Sequence, residues 1–67
     1  MKIAAQYLPV NCILTHTLEK VLSVRTQGLD IPTRKCFVVL EKNNKIRTAV
    51  WNKHTLISYK DKDKNEN

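Results

Sequence analysis

The chain has 67 residues, of which 42% are hydrophobic, and a formal net charge of +6. A chain of this length forms one domain and buries only roughly 60% of the surface that it exposes when unfolded. Such a core is too small to carry a deep catalytic pocket as well. A folded body with excess positive charge attracts polyanions at long range, which favours contact with nucleic acid.

The first six residues are too few and too polar for a signal peptide, and no later stretch is apolar for long enough to cross a bilayer. We therefore expect a cytoplasmic protein with no membrane partner. Cys12 and Cys36 lie within apolar runs and form no CxxC motif. This placement favours reduced cysteines in the core over a disulfide framework or a metal site.

Residues 10–27 fit two structures. Their apolar side chains alternate as in strands. A helical spacing is also present, in a set of residues that recurs every three or four positions: Leu14, Leu18, Val21, Leu22 and Arg25. Asn11 could cap such a helix, and Gly28 could end it. Because β-branched residues are frequent here, we favour strands and keep a helix within residues 11–27 as the alternative. Residues 29–33 form a loop or an edge in either case, since Pro32 cannot donate to a ladder.

Residues 35–59 carry the clearest pattern. Residues 36–40 are a run of β-formers that can be buried on both faces. Asn43 and Asn44 follow, and asparagine tolerates the left-handed backbone that a tight hairpin turn demands. An alternating strand and a short link come next, before a final strand at residues 55–59. We expect the order strand, turn, strand, link, strand.

Residues 60–67 contain no apolar group, so we expect a disordered charged tail after a single domain at residues 1–59. The three lysines of the tail are cancelled by its three carboxylates. The positive excess therefore lies in the domain, where nine lysine and arginine residues face three carboxylates.

The strand at residues 45–51 alternates between two sets of side chains. Such a pattern is typical of a strand with one face packed inward and the other solvated. We expect the inward set to be Ile46, Thr48 and Val50, and the solvated set to be Lys45, Arg47, Ala49 and Trp51. Cations in a row with a flat aromatic ring suit a flexible polyanion, because phosphates pair with the charges and bases stack on the ring.

Taken as strands, these segments have the size and order of a mainly β, strongly bent Sm-like or SH3-like barrel of about five strands. Residues 9–15, 37–40 and 53–58 resemble the first strand, the central strand and the Lys-His signature of the Hfq family of RNA chaperones. Residues 7–12, with Leu-Glu at 18–19, are similar to the opening of the Rof family, Sm-like inhibitors of the transcription terminator Rho. The Hfq resemblance implies that Lys53 and His54 bind uridine-rich RNA.

The sequence contains few residues in arrangements that support catalysis. His16 and His54 have no acidic residue at a spacing that marks a triad, and Gly28 alone cannot form a glycine-rich phosphate loop. We therefore expect a protein that is not an enzyme and that uses no cofactor and no metal.

We expect a small basic binding module that contacts single-stranded nucleic acid, RNA above all, as a regulator. Its candidate site residues are Lys45, Arg47, Trp51, Lys53, His54 and Tyr59. The alternative is a protein-binding regulator or inhibitor that docks on an acidic surface of a larger machine, such as a transcription factor complex, since Trp, Tyr and Arg dominate such interfaces. The small core and open strand edges also predict a homo-oligomer.

Overall fold

The structure, a computed structural model, describes residues 1–60. Its elements are β1 (Lys2–Ala4), a 3-10 helix (Ala5–Tyr7), β2 (Ile13–Leu14), β3 (Lys20–Arg25), β4 (Lys35–Lys42), β5 (Lys45–Asn52) and β6 (Leu56–Lys60). The six strands form one antiparallel sheet in the order β1-β6-β2-β3-β4-β5. The mainly β class is confirmed, and residues 11–27 form strands and turns without an α-helix. The sheet is not closed by pairing between its end strands, β1 and β5.

The hairpin between β4 and β5 forms as predicted. Asn43 and Asn44 have φ values of 54° and 67°, the left-handed pair that a two-residue turn of the favoured hairpin type requires. Lys42 and Lys45 close the turn, and the register then continues without irregularity to Lys35 opposite Asn52. This hairpin is the longest paired region of the sheet and positions every side chain of β5.

The core lies on one face of β4. Cys36, Val38 and Leu40 have no exposed surface, whereas the alternate residues Phe37 and Val39 are half-buried. Burial on both faces of β4 was expected, so the second face is covered less than predicted. The core cluster as a whole consists of Ala5, Leu8, Cys12, Leu14, Val21, Cys36, Val38, Leu40 and Ala49. Both cysteines are buried, as predicted.

Two left-handed residues shape the turns around β2. Asn11 has a φ of 74°, and its amide donates to the Val21 carbonyl at 2.7 Å, so it forms a turn rather than a helix cap. Leu18 has a φ of 62°, unusual for a bulky residue, and its amide donates to the Leu14 carbonyl at 2.9 Å. The Leu14 amide in turn donates to the Glu19 carbonyl at 2.8 Å. The tight turn after β2 thus holds Glu19 beside the sheet.

The final strand begins and ends one residue later than predicted. It includes Lys60, which was assigned to the tail, and the remainder of the expected tail lies outside the described residues. None of the helical segments found in residues 1–60 is long and apolar enough to span a bilayer.

Candidate nucleic-acid interface

The two faces of β5 are the reverse of those predicted from its alternation. Ala49 is 6% exposed and Trp51 packs against the core, whereas Ile46 and Val50 are 64% and 52% exposed. The cause is the register with β4, because cross-strand partners lie on the same face of a sheet. Ala49 lies opposite Val38, which is fully buried, and is therefore drawn inward with it. The expected solvated row was wrong for Ala49 and Trp51.

Trp51 is half-buried and lies opposite the buried thiol of Cys36. Its ring forms one wall of a small, mainly apolar pocket of about 180 Å³ whose other walls include Leu14, His16 and Leu56. The indole therefore connects the end of β5 to β2 and β6. Much of its surface is used in packing, which leaves less of it for base stacking than the sequence indicated.

Arg47 is held in a two-point ion pair with Glu19. Its Nε donates to Oε2 at 2.7 Å and its Nη2 donates to Oε1 at 2.8 Å. Glu19 is only 8% exposed, although the arginine side chain is 55% exposed. The hydrogen bond from Arg47 lowers the pKa of Glu19 against the opposing effect of burial, and the same bond raises the pKa of Arg47. The charge of Arg47 is therefore largely compensated within the fold.

Two groups of basic residues line clefts near the two ends of β5. The hairpin cluster consists of Lys42, Lys45 and Arg47, which line an open cleft around Glu19. Sequence reasoning missed Lys42 and Glu19, because no local pattern marks a contact between residues 28 positions apart, such as Arg47 and Glu19. Lys42 also donates from Nζ to the Thr17 carbonyl at 2.9 Å, which fixes it near the turn after β2.

The link cluster lies at the opposite end of β5 and consists of Arg34, Lys53 and His54, which line a second cleft with Thr33 and Asn52. The Lys53 amide donates to the Arg34 carbonyl at 2.9 Å, and this bond extends the β4–β5 ladder by one step. The ladder thus brings Arg34 beside the predicted Lys53 and His54. Arg34 was not among the predicted site residues.

Tyr59 does not join either cluster. It is half-buried and packs against the core, with its hydroxyl 3.9 Å from the Met1 sulfur. The structure therefore divides the six predicted site residues. Lys45 and His54 are exposed and Lys53 is half-buried in the two clusters, Arg47 is partly neutralised, and Trp51 and Tyr59 contribute to packing.

Carboxylates balance only part of these clusters. Glu19 neutralises Arg47 within the hairpin cluster, whereas Asp30 pairs with Arg25 at 3.3 Å and lines neither cleft. Within residues 1–60, Arg34, Lys45 and Lys53 form no ion pair. The same part of the chain contains no group of three His, Cys, Asp or Glu side chains that could hold a metal ion.

Comparison of the chain with protein-family models, with curated proteins and with solved structures found no match.

Proposed function

We propose that this protein is a non-enzymatic module that binds single-stranded nucleic acid, RNA in particular, through the hairpin cluster and the link cluster. The observation that carries the proposal is the positive charge at both ends of β5 that no carboxylate of residues 1–60 pairs with, on Lys45 at one end and on Arg34 and Lys53 at the other. At about 3.3 Å per residue, the strand separates the two clusters by up to about 25 Å. A flexible polyanion can follow such a surface with its phosphates at both ends.

Contacts of this kind give affinity with little sequence readout, because phosphate contacts position the ligand without reading its bases. Lys45, Lys53 and Arg34 are the main phosphate contacts in this proposal, and His54 adds a hydrogen-bond donor at the link. Trp51 packs beneath this surface, and only the exposed part of its ring is free to contact a base.

We also propose that the sheet bends as in a small Sm-like or SH3-like barrel, as the resemblance to the Hfq and Rof families implies. Support comes from β6, which pairs with β1 along one edge and with β2 along the other. Further support comes from the Gln6 amide, which donates to the Lys53 carbonyl at 3.3 Å and brings the amino-terminal segment to the end of β5.

The test is binding of a fluorescent oligouridine, followed by anisotropy over a range of salt concentrations. We expect the logarithm of the association constant to fall linearly with the logarithm of salt, by about 0.7 for each phosphate contacted. Lys45→Ala and Lys53→Ala should each make the slope shallower by about that amount, because each removes one contact. Lys2→Ala, which removes the same charge from the one exposed residue of β1, is the matched control and should retain the wild-type slope.

Equal losses in all three variants would show attraction by net charge alone and would overturn the assignment of the clusters. A protein that binds no oligonucleotide at low salt, but retains a protein partner from nuclease-treated lysate, would support the alternative of a protein-binding regulator instead.

A further inference from the structure

Strand β5 has one open edge. It ends the sheet, and no other strand of the described chain pairs with its second side. In a two-residue hairpin the closing pair is hydrogen-bonded, and bonded pairs then alternate along the ladder. Lys42 and Lys45 close this turn, so the backbone groups of the odd-numbered residues of β5 form hydrogen bonds with β4. The hydrogen bond from the Lys53 amide to the Arg34 carbonyl continues the same alternation beyond the strand. The backbone groups of Ile46, Thr48 and Val50 therefore point to the open edge.

This edge has few of the features that usually prevent edge-to-edge pairing, and its two cations, Lys45 and Arg47, lie on the face opposite Ile46, Thr48 and Val50. Protected edges are short, bulged, interrupted by proline or charged. β5 has eight residues, contains no proline and pairs with β4 without a bulge. Its edge-facing residues carry the uncharged side chains of Ile46, Thr48 and Val50, which are exposed on the face opposite the core. The nearest cation, Arg47, is paired with Glu19.

We propose that two copies of this chain pair through their β5 strands, antiparallel, with a two-fold axis at Thr48. In this register Thr48 faces the Thr48 of the other copy, and Ile46 faces its Val50. All three positions are those whose backbone groups point outward, so each pair forms at hydrogen-bonded positions. Because facing residues share a face, the exposed Ile46 and Val50 side chains cover one another across the junction.

Charge selects this register over its neighbours. With the axis at Thr48, Arg47 faces the other copy's Ala49 and Lys45 faces its Trp51, so no cation lies directly opposite a cation. Displacing one strand by two residues in one direction brings Arg47 opposite Arg47. The same displacement in the other direction brings Lys45 opposite Lys53. Like charges directly opposite destabilise a strand pair, so the sequence of β5 is self-complementary only about Thr48.

The edge of β1 is a poorer partner for β5. It offers only Lys2–Ala4, and its pairing with β6 leaves few backbone groups free. Pairing between two β5 strands uses more residues of each chain and is symmetric, as closed dimers are. This interface goes beyond the proposed function, and it forms without nucleic acid.

The test begins with the mass of the nuclease-treated, full-length protein by light scattering over a range of concentrations. We expect a dimer at high concentration. Thr48→Lys places two like charges at the axis and should yield a monomer with an unchanged circular dichroism spectrum. Thr48→Val is the matched control, since it keeps the outward backbone groups and adds no charge, and it should remain a dimer.

A cysteine experiment tests the register itself. Facing residues at hydrogen-bonded positions lie about 5.5 Å apart at Cα, within the range of a disulfide. Thr48→Cys should therefore form a covalent dimer on mild oxidation, whereas Ile46→Cys should not, because it faces Val50. A monomeric mass at every concentration, a dimer that survives Thr48→Lys, or equal crosslinking of the two cysteine variants would each overturn the proposal.

Discussion

The orientation of β5 is best tested by placing a lysine at each of two adjacent positions. Ala49→Lys puts the new side chain on the face that packs against Val38, where only 6% of the alanine is exposed. Thr48→Lys puts the same side chain on the exposed face, one residue away. The two variants carry the same net charge and lie on the same strand, so they differ mainly in the face that receives the lysine.

The expected magnitudes are far apart. Overpacking a core costs about 1–3 kcal/mol, and burial of part of a charged chain adds to it, so we expect Ala49→Lys to lose about 2–5 kcal/mol. At about 0.05–0.15 kcal/mol per residue, the described residues have a total stability of roughly 3–9 kcal/mol. Ala49→Lys therefore removes between about a quarter and all of the stability. Thr48→Lys should change the unfolding free energy by no more than about 0.5 kcal/mol, as exposed sites do.

The assay is urea unfolding, followed by Trp51 fluorescence and by far-ultraviolet circular dichroism, at a protein concentration low enough to keep every variant monomeric. With a slope of about 1 kcal/mol per molar urea, Ala49→Lys should lower the midpoint by roughly 2 M or more. A larger loss in Thr48→Lys than in Ala49→Lys would mean that β5 turns its other face to the core. The reasoning from the β4 register would then fail.

Three further outcomes follow from the packing and the titrating groups. Trp51→Ala should lower the unfolding free energy by about 2 kcal/mol or more, because part of a large ring packs against the core. Trp51→Phe should lower it less, and thermal melts followed by circular dichroism measure both losses. The lowered pKa of Glu19 adds stability that is present above its ordinary value of 4.5 and is lost as pH falls through the folded-state value. Glu19→Gln should therefore flatten the acid side of a plot of urea midpoint against pH, and an unchanged acid side would contradict the role of the Arg47 pair. Burial raises the pKa of the Cys36 thiol, so a thiol reagent should label this cysteine slowly in the folded protein and fast in urea. Fast labelling without urea would show that the thiol is exposed.

Part of the candidate site could be found from the sequence. Lys45, Lys53 and His54 were predicted as binding residues, and they line the two clefts because they lie at or next to a turn or a link, although Lys53 is half-buried. Arg34 and Lys42 were left out, because their places depend on hydrogen bonds to residues distant in the chain. Arg47 was identified as a cation, but no local signal showed that Glu19 would neutralise it.

Local chemistry determined the hairpin of this fold. Two adjacent asparagines favour a left-handed turn, and alternating side chains favour a strand, so the hairpin of β4 and β5 could be predicted from residues 35–52 alone. The apolar residues on either side of each cysteine predicted that both would be buried and reduced, and both are buried. Such features depend on a residue and its near neighbours, which a sequence displays directly.

Only the tertiary structure decided which face of β5 is buried. A period of two divides a strand into two faces but does not say which of them meets the core. That choice was made by β4, whose Val38 and Cys36 are fully buried and hold Ala49 and Trp51 on the inner face. The pairing of Glu19 with Arg47 was decided in the same way, by contact between strands that are distant in the chain.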